Sequence, residues 1–360
     1  MTYLLPYVNR ITPYPKSERI PEDGVVLKLD QNESPYPPSP KVLEVLSNMA
    51  ENRIRHYPDP SAILLRNRLA EIHGIPPEQI LCGNGTSELI TLLFRACIGT
   101  GTVAAADPSF ALYPLAAQLA GAHCVKIPLR EDNTLDIGAM AASGADALVV
   151  VNPNAPTGIL TERAELEELA SSFRGLVIVD EAYMEYVDGE RESMLPLLQS
   201  FSNVVVLRTF SKAYALSGIR VGSVFASAAV IEGLGKVKEL YNLGAVSQQL
   251  ALAALDDQDY MKMNVRKTKQ TRDLFSSSLK NLGFQVLPSE TNFVLCEPSA
   301  FSPWLTAQRI HRLLQEHHIY VRYFTAPPLH TKLRISIGTD EQMDYVLRTI
   351  AKLEALYSAN

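Results

Sequence analysis

The sequence predicts an α/β protein: a large domain with a mostly parallel sheet flanked by helices, then a smaller α+β C-terminal domain. Three observations carry this. Between residues 80 and 225, short apolar runs (Ile80–Cys82, Thr102–Ala106, Ala147–Val151, Leu176–Val179, Val204–Leu207) alternate with helical patterns, as strands of a buried parallel sheet do. Polar clusters follow these runs, among them Asn152–Gly158 and Asp180–Tyr183, and an open parallel sheet binds ligands outside the carboxyl ends of its strands. Finally, 360 residues with 47% hydrophobic content exceed one average domain and suit one large core plus a small one. The expected division is an arm over 1–45, a large domain over 46–265 and a small domain over 266–360.

Composition narrows the function. A net charge of −6 with no basic block argues against a nucleic-acid partner. No apolar run approaches the roughly 20 residues that span a bilayer, and Met-Thr-Tyr-Leu-Leu-Pro-Tyr lacks the basic start of a signal peptide. Cys82, Cys97, Cys124 and Cys296 lie apart among apolar neighbours, which predicts buried free thiols in a reducing cytoplasm. The seven histidines form no HExxH and pair with no cysteine at ligand spacing, so no metal is expected.

In chain order, residues 1–40 carry eight prolines and read as an extended arm, with a short strand over 25–29 followed by Asp30-Gln-Asn-Glu-Ser-Pro35. Helical stripes cover 41–50 and about 61–73, separated by Arg55-His-Tyr-Pro-Asp-Pro60. The strand Ile80–Cys82 runs into Gly83-Asn-Gly85-Thr-Ser87 and an apolar helix. Glycines before a helix N-terminus let backbone approach a phosphate, and the dipole favours its charge. Gly85, Thr86 and Ser87 are therefore the candidate phosphate cup, unless Thr86 or Ser87 merely caps a strand–helix turn. Asp180 and Tyr183 place two polar groups at a strand end. After Val204–Leu207 come Thr209, Ser211, Lys212 and Arg220. A lysine amine condenses with an aldehyde, while hydroxyls and a guanidinium hold a dianionic phosphate.

From Ala229 to Met263 the pattern is helical, and 264–282 continues as an amphipathic helix whose basic face (Arg266, Lys267, Lys269, Arg272) reads as solvated. Strands over 284–287, 291–296, 319–324 and 333–337 then mix with helices over about 303–317 and 341–356. Arg322 and Arg334 lie inside apolar strands, where an arginine needs an anionic partner; a structural ion pair would serve as well as a substrate.

The motifs Asn152-Pro-Asn-Ala-Pro-Thr-Gly158, Asp180-Glu-Ala-Tyr183, Ser211-Lys-x3-Leu-x-Gly-x-Arg-x-Gly222 and Leu333-Arg-Ile-Ser-Ile-Gly338 occur in the order seen in class I/II aminotransferases of fold type I. These enzymes depend on pyridoxal 5'-phosphate. With the arm and His56-Tyr-Pro-Asp59, the chain is most similar to the histidinol-phosphate aminotransferases. The resemblance implies that Lys212 holds the cofactor and moves the proton, Asp180 pairs with its pyridine nitrogen, and Tyr183 bonds its phenolic oxygen. It implies Phe110 stacking on the ring, though core packing explains Phe110 equally well. Thr86, Ser87, Thr209, Ser211 and Arg220 would hold the phosphate, with Tyr57 arriving from a second subunit of a homodimer. Arg334, assisted by Arg322, would bind the substrate anion, with Tyr14 and Asn32 near the substrate. Small molecules would be its substrates: the reaction implied exchanges an amino group between glutamate/2-oxoglutarate and histidinol phosphate/imidazole acetol phosphate. An aromatic amino acid as donor and a threonine-phosphate decarboxylase-type lyase both stay open. One departure stands out. The family commonly has Asn immediately before Pro-Thr-Gly, bonded to the phenolic oxygen; here that residue is Ala155, and neighbouring Asn154 is expected to take the role.

Overall fold

The computed structural model describes residues 3–4, 8–11, 26–298 and 304–358; Tyr14 lies outside them. The strands are β1 (Leu27–Leu29), β2 (Ile80–Gly83), β3 (Thr102–Asp107), β4 (His123–Pro128), β5 (Ala147–Val151), β6 (Leu176–Asp180), β7 (Val204–Thr209), β8 (Gly222–Phe225), β9 (Gln285–Val286), β10 (Phe293–Glu297), β11 (Ile319–Tyr323) and β12 (Leu333–Ser336). The α-helices are α1 (Pro40–Ser47), α2 (Glu51–Arg55), α3 (Ile63–His73), α4 (Gly85–Leu93), α5 (Leu112–Ala120), α6 (Ile137–Ala141), α7 (Arg163–Ser172), α8 (Ala228–Val237), α9 (Ala245–Leu255), α10 (Gln258–Asn281), α11 (Ala307–Glu316) and α12 (Asp340–Ser358).

The larger sheet has the order β2-β8-β7-β6-β5-β3-β4. Only β8 within it runs antiparallel to its neighbours β2 and β7. Alternate residues of each central strand enter opposite layers. Val204 and Val206 pack with Leu65 of α3, Leu166 of α7 and Leu250 of α9; Val205 and Leu207 pack with Leu89 of α4, Tyr113 of α5 and Leu234 of α8. Helices thus cover both faces, which is why these strands read as unbroken apolar runs.

The second sheet has the order β1-β11-β12-β10-β9 and a core with Phe275 and Leu279 of α10, Ile310 of α11 and Val346 of α12. Its edge is a finding the sequence did not foretell. β1 pairs in parallel with β11, Leu27 opposite Ile319, so part of the arm is a strand of this sheet. α10 runs unbroken through residues 265 and 266, where the domain boundary was expected.

Four further expectations change. β4 and β8 had not been read as strands; β4 is an edge strand of mixed burial, without an apolar run to mark it. The helical stretch 229–263 breaks between α8 and α9. The basic face of α10 is not wholly solvated: Arg272 is buried and donates to the Thr291 carbonyl at 3.1 Å. Of the cysteines, Cys82 and Cys296 are buried, Cys124 is half-buried and Cys97 is exposed. No helix among the described residues is long and apolar enough to cross a membrane.

Candidate active site

The carboxyl ends of β2, β6 and β7 converge on one edge of the larger sheet, and the second sheet meets them there. Asp180, the last residue of β6, is 2% exposed. Its Oδ2 accepts from Tyr113 Oη at 2.7 Å and its Oδ1 from the Ala182 N–H at 3.2 Å. Burial pushes its carboxyl up to about 6, against the pull of the Tyr113 and Ala182 donors and of Lys212. Sequence reasoning missed Tyr113. The available signal was its place three residues beyond Phe110, whose ring it meets edge-on at 6.1 Å. That contact brings Phe110 beside Asp180's partner.

Lys212 sits in the turn after β7. Its Nζ donates to the Gln31 carbonyl at 3.0 Å and lies 5.9 Å from the Tyr183 ring centroid. Burial pushes its amine down to about 7; Arg334, Arg220 and Lys28 add to this, and Glu33 opposes it. Tyr183 is buried, with its ring edge-on to Phe293 at 5.4 Å.

The residues expected to form a phosphate cup lie near Arg220. Gly85 has φ +74, and a Cβ added there would stand 2.5 Å from Arg220 Nη2. A Cβ at Gly222 would meet the Thr86 nitrogen at 2.6 Å. Arg220 Nη1 donates to the Ser217 carbonyl (3.0 Å) and reaches Ser211 Oγ (3.4 Å), while the Ser211 N–H donates to Thr209 Oγ1 (3.1 Å). Ser87 lies on the exposed side of the first turn of α4. The first N–H groups of a helix have no intrahelical acceptor, so the start of α4 brings N–H donors next to the Arg220 guanidinium. Gly85→Ala should weaken pyridoxal phosphate binding by roughly 10–100-fold, since left-handed strain of about 1–3 kcal/mol adds to the clash. Equilibrium dialysis with the cofactor-free protein measures this; unchanged affinity would place the phosphate elsewhere.

Arg322 and Arg334 are direct partners across the β11–β12 ladder. Their guanidinium carbons lie 5.6 and 5.9 Å from the Phe324 ring centroid, and Arg334 also covers Phe293 at 5.4 Å. Arg334 Nη2 donates to the Asp30 carbonyl at 2.7 Å. Through Phe293 the pair is joined to Tyr183.

Asn154 takes another position, while Asn32 and Tyr57 find partners of their own. Asn154 does not offer its amide to the site: Nδ2 donates to the Pro108 carbonyl (3.1 Å) and Thr157 Oγ1 (3.0 Å), and Oδ1 accepts from Ser109 (2.7 Å). Both amide hydrogens are committed, which corrects the expectation that it replaces the asparagine missing at Ala155. Asn32, expected near the substrate, turns its amide to Tyr183 Oη (2.8 Å) and Ser336 (3.2 Å). Tyr57 is 81% exposed and stacks on Tyr241 at 4.4 Å. It lines a cleft of about 290 Å³ with Arg53, His56 and Gln248, apart from the Lys212 site of its own chain.

A buried carboxylate, a near-neutral lysine and a cup that excludes a Cβ fit a phosphorylated aldehyde with a basic ring nitrogen. Residues 25–350 match the family profile "Aminotransferase class I and II". The chain belongs to that family, and its cofactor is pyridoxal 5'-phosphate. Among its relatives it is 35% identical to histidinol-phosphate aminotransferase 1 of Trichormus variabilis, over 98% of this chain and 99% of that one. It is 40% identical to histidinol-phosphate aminotransferase of Geobacter sp. strain M21, over 91% of each. In structure it is similar to histidinol-phosphate aminotransferase of Sinorhizobium meliloti in complex with pyridoxal-5'-phosphate, with a TM-score of 0.88, 25% identity, and coverage of 98% and 99%.

Proposed function

We propose that this aminotransferase moves an amino group between glutamate/2-oxoglutarate and histidinol phosphate/imidazole acetol phosphate, serving histidine biosynthesis. The observation that carries it is the cross-strand Arg322–Arg334 pair, of which Arg334 acts on Lys212. Like charges directly opposite on a ladder repel, and an anion placed between them removes that cost. A forked guanidinium accepts a carboxylate or a phosphate, so one pair serves a dicarboxylic acid and a phosphate monoester in turn. The relatives' names supply the particular phosphate.

When bound, pyridoxal phosphate supplies an electron-withdrawing ring that stabilises negative charge at the substrate's Cα. Asp180 would pair with the ring nitrogen and keep its proton there; burial makes its carboxylate a strong acceptor, and Tyr113 keeps it oriented. Lys212, whose amine burial brings down to about 7, would move the proton at the substrate's Cα. Tyr183 would bond the phenolic oxygen, Phe110 would cover the ring, and Gly85, Thr86, Ser87, Thr209, Ser211 and Arg220 would hold the phosphate.

We further propose a cytoplasmic homodimer in which Tyr57 of the partner subunit completes the phosphate site. Leu43, Leu46, Ile54, Leu64 and Leu240 are exposed on the same segments as Tyr57 and Tyr241, an apolar surface of the kind that marks an interface.

The test compares histidinol phosphate, phenylalanine and O-phosphothreonine as substrates, with 2-oxoglutarate as acceptor. Histidinol phosphate should give the highest kcat/KM. Arg334→Lys should lower it for both half-reactions by about 10–100-fold, the range of a charged hydrogen bond. Carbon dioxide released from O-phosphothreonine without an acceptor would instead identify a lyase.

A further inference from the structure

We propose that Asn32 is a positioning residue that fixes Tyr183 as a hydrogen-bond donor toward the cofactor's phenolic oxygen. The inference rests on the placement of Tyr183 beside that oxygen, proposed above.

The direction of the Asn32–Tyr183 bond follows from the network behind it. Asn32 is 2% exposed and held in the left-handed region at φ +55, where asparagine is tolerated better than most residues. Its N–H donates to Ser336 Oγ at 2.8 Å, and that hydroxyl donates in turn to Asn32 Oδ1 at 3.2 Å. The Asn32 carbonyl accepts from Asn292 Nδ2 at 3.0 Å. With Oδ1 fixed against Ser336, it is the NH2 group that faces Tyr183, donating at 2.8 Å. A phenol oxygen that accepts from Asn32 directs its own proton elsewhere, and the cofactor's phenolic oxygen is the acceptor proposed for it.

This chain has reason to need that control. Ala155 carries no side-chain donor, and both amide hydrogens of Asn154 are on Pro108 and Thr157. The Tyr183 proton therefore bears more of the oxygen's charge than it would beside a second donor. Asn32 also belongs to a run of three residues that all reach the site. The Asp30 carbonyl accepts from Arg334 and the Gln31 carbonyl from Lys212. The arm thus threads between the residues that bind, react and donate.

The experiment reads the pH midpoint of the bound cofactor's visible absorbance in the holoenzyme. Donation to the phenolic oxygen stabilises its negative charge and lowers the proton affinity of the conjugated nitrogen at Lys212. Tyr183→Phe should raise the midpoint by about one pH unit, the size of one such hydrogen bond. Asn32→Asp keeps the shape of the side chain but can only accept, so it turns the Tyr183 proton away from the cofactor. It should raise the midpoint more than Asn32→Ala does, and both shifts should shrink in a Tyr183→Phe background. The double variants separate the relay from the direct effect of a new negative charge. Equal Asn32→Asp shifts in the two backgrounds, or a smaller shift than Asn32→Ala, would overturn the relay alone. A Tyr183→Phe profile that superposes on the native one would overturn the placement of Tyr183 and the relay with it.

Discussion

Lys212→Ala is expected to lower turnover by about four orders of magnitude, the upper end for loss of a proton-transfer group. Borohydride treatment should fix the cofactor's mass on the native peptide containing Lys212 and leave the variant unlabelled. The same lysine sets a pH dependence. An amine at its ordinary value of 10.5 would be neutral in roughly one molecule in 3,000 at pH 7. At about 7, half the molecules carry the neutral amine. The neutral form is the nucleophile, so cofactor uptake by the cofactor-free protein should be slow below pH 7 and level off above it. A midpoint near 10 would show that burial and Arg334 do not depress the amine, and wild-type turnover by Lys212→Ala would remove it from the chemistry.

Much of this site was legible because a parallel sheet gathers its strand ends. Asp180, Lys212 and the cup residues each follow an apolar run, and any open α/β topology brings such positions to one edge. What escaped depends on pairing and facing, which no local pattern encodes. The register placing Arg322 against Arg334 is set by the turn between two strands. Asn32 reaches Tyr183 across 151 positions because the short strand before it, legible as a strand but not in its partner, joins the second sheet. Asn154 looked available by adjacency to Ala155, yet consecutive residues of a turn point different ways. Arg272 was grouped with its basic neighbours although it follows the buried series Thr268, Thr271, Phe275 and Leu279, where helical spacing alone puts it inside.

Arg208→Met is expected to cost about 3–5 kcal/mol, the usual result of removing one partner from a buried ion pair. Arg208 lies in β7, one residue before Thr209, and is 4% exposed. Its guanidinium donates to Glu181 (2.8 Å), Glu185 (3.2 Å), Glu190 (2.9 Å) and Ser193 (3.0 Å). Glu181 directly follows Asp180 and is itself fully buried, accepting from the Met194 N–H at 2.6 Å. Three carboxylates thus share one cation beneath the cofactor site. Without Arg208 they repel with no cation between them, and Tm should fall by roughly 4–7 °C. The deficit should be larger at pH 8 than at pH 5.5, where protons can replace the lost charge. Glu185 provides the control. Burial, opposed by Arg208 and aided by Glu190, pushes its carboxyl from 4.5 up to about 7. A folded-state value above the unfolded one gives stability that is complete below about 4.5 and is lost as pH rises through 7. Glu185→Gln, which resembles the protonated form and can still accept from Arg208, escapes that loss. Its Tm relative to the native protein should therefore rise between pH 5.5 and 8. A constant difference for both variants across that range would mean the carboxylates are not coupled through Arg208, and that its burial is a matter of packing alone.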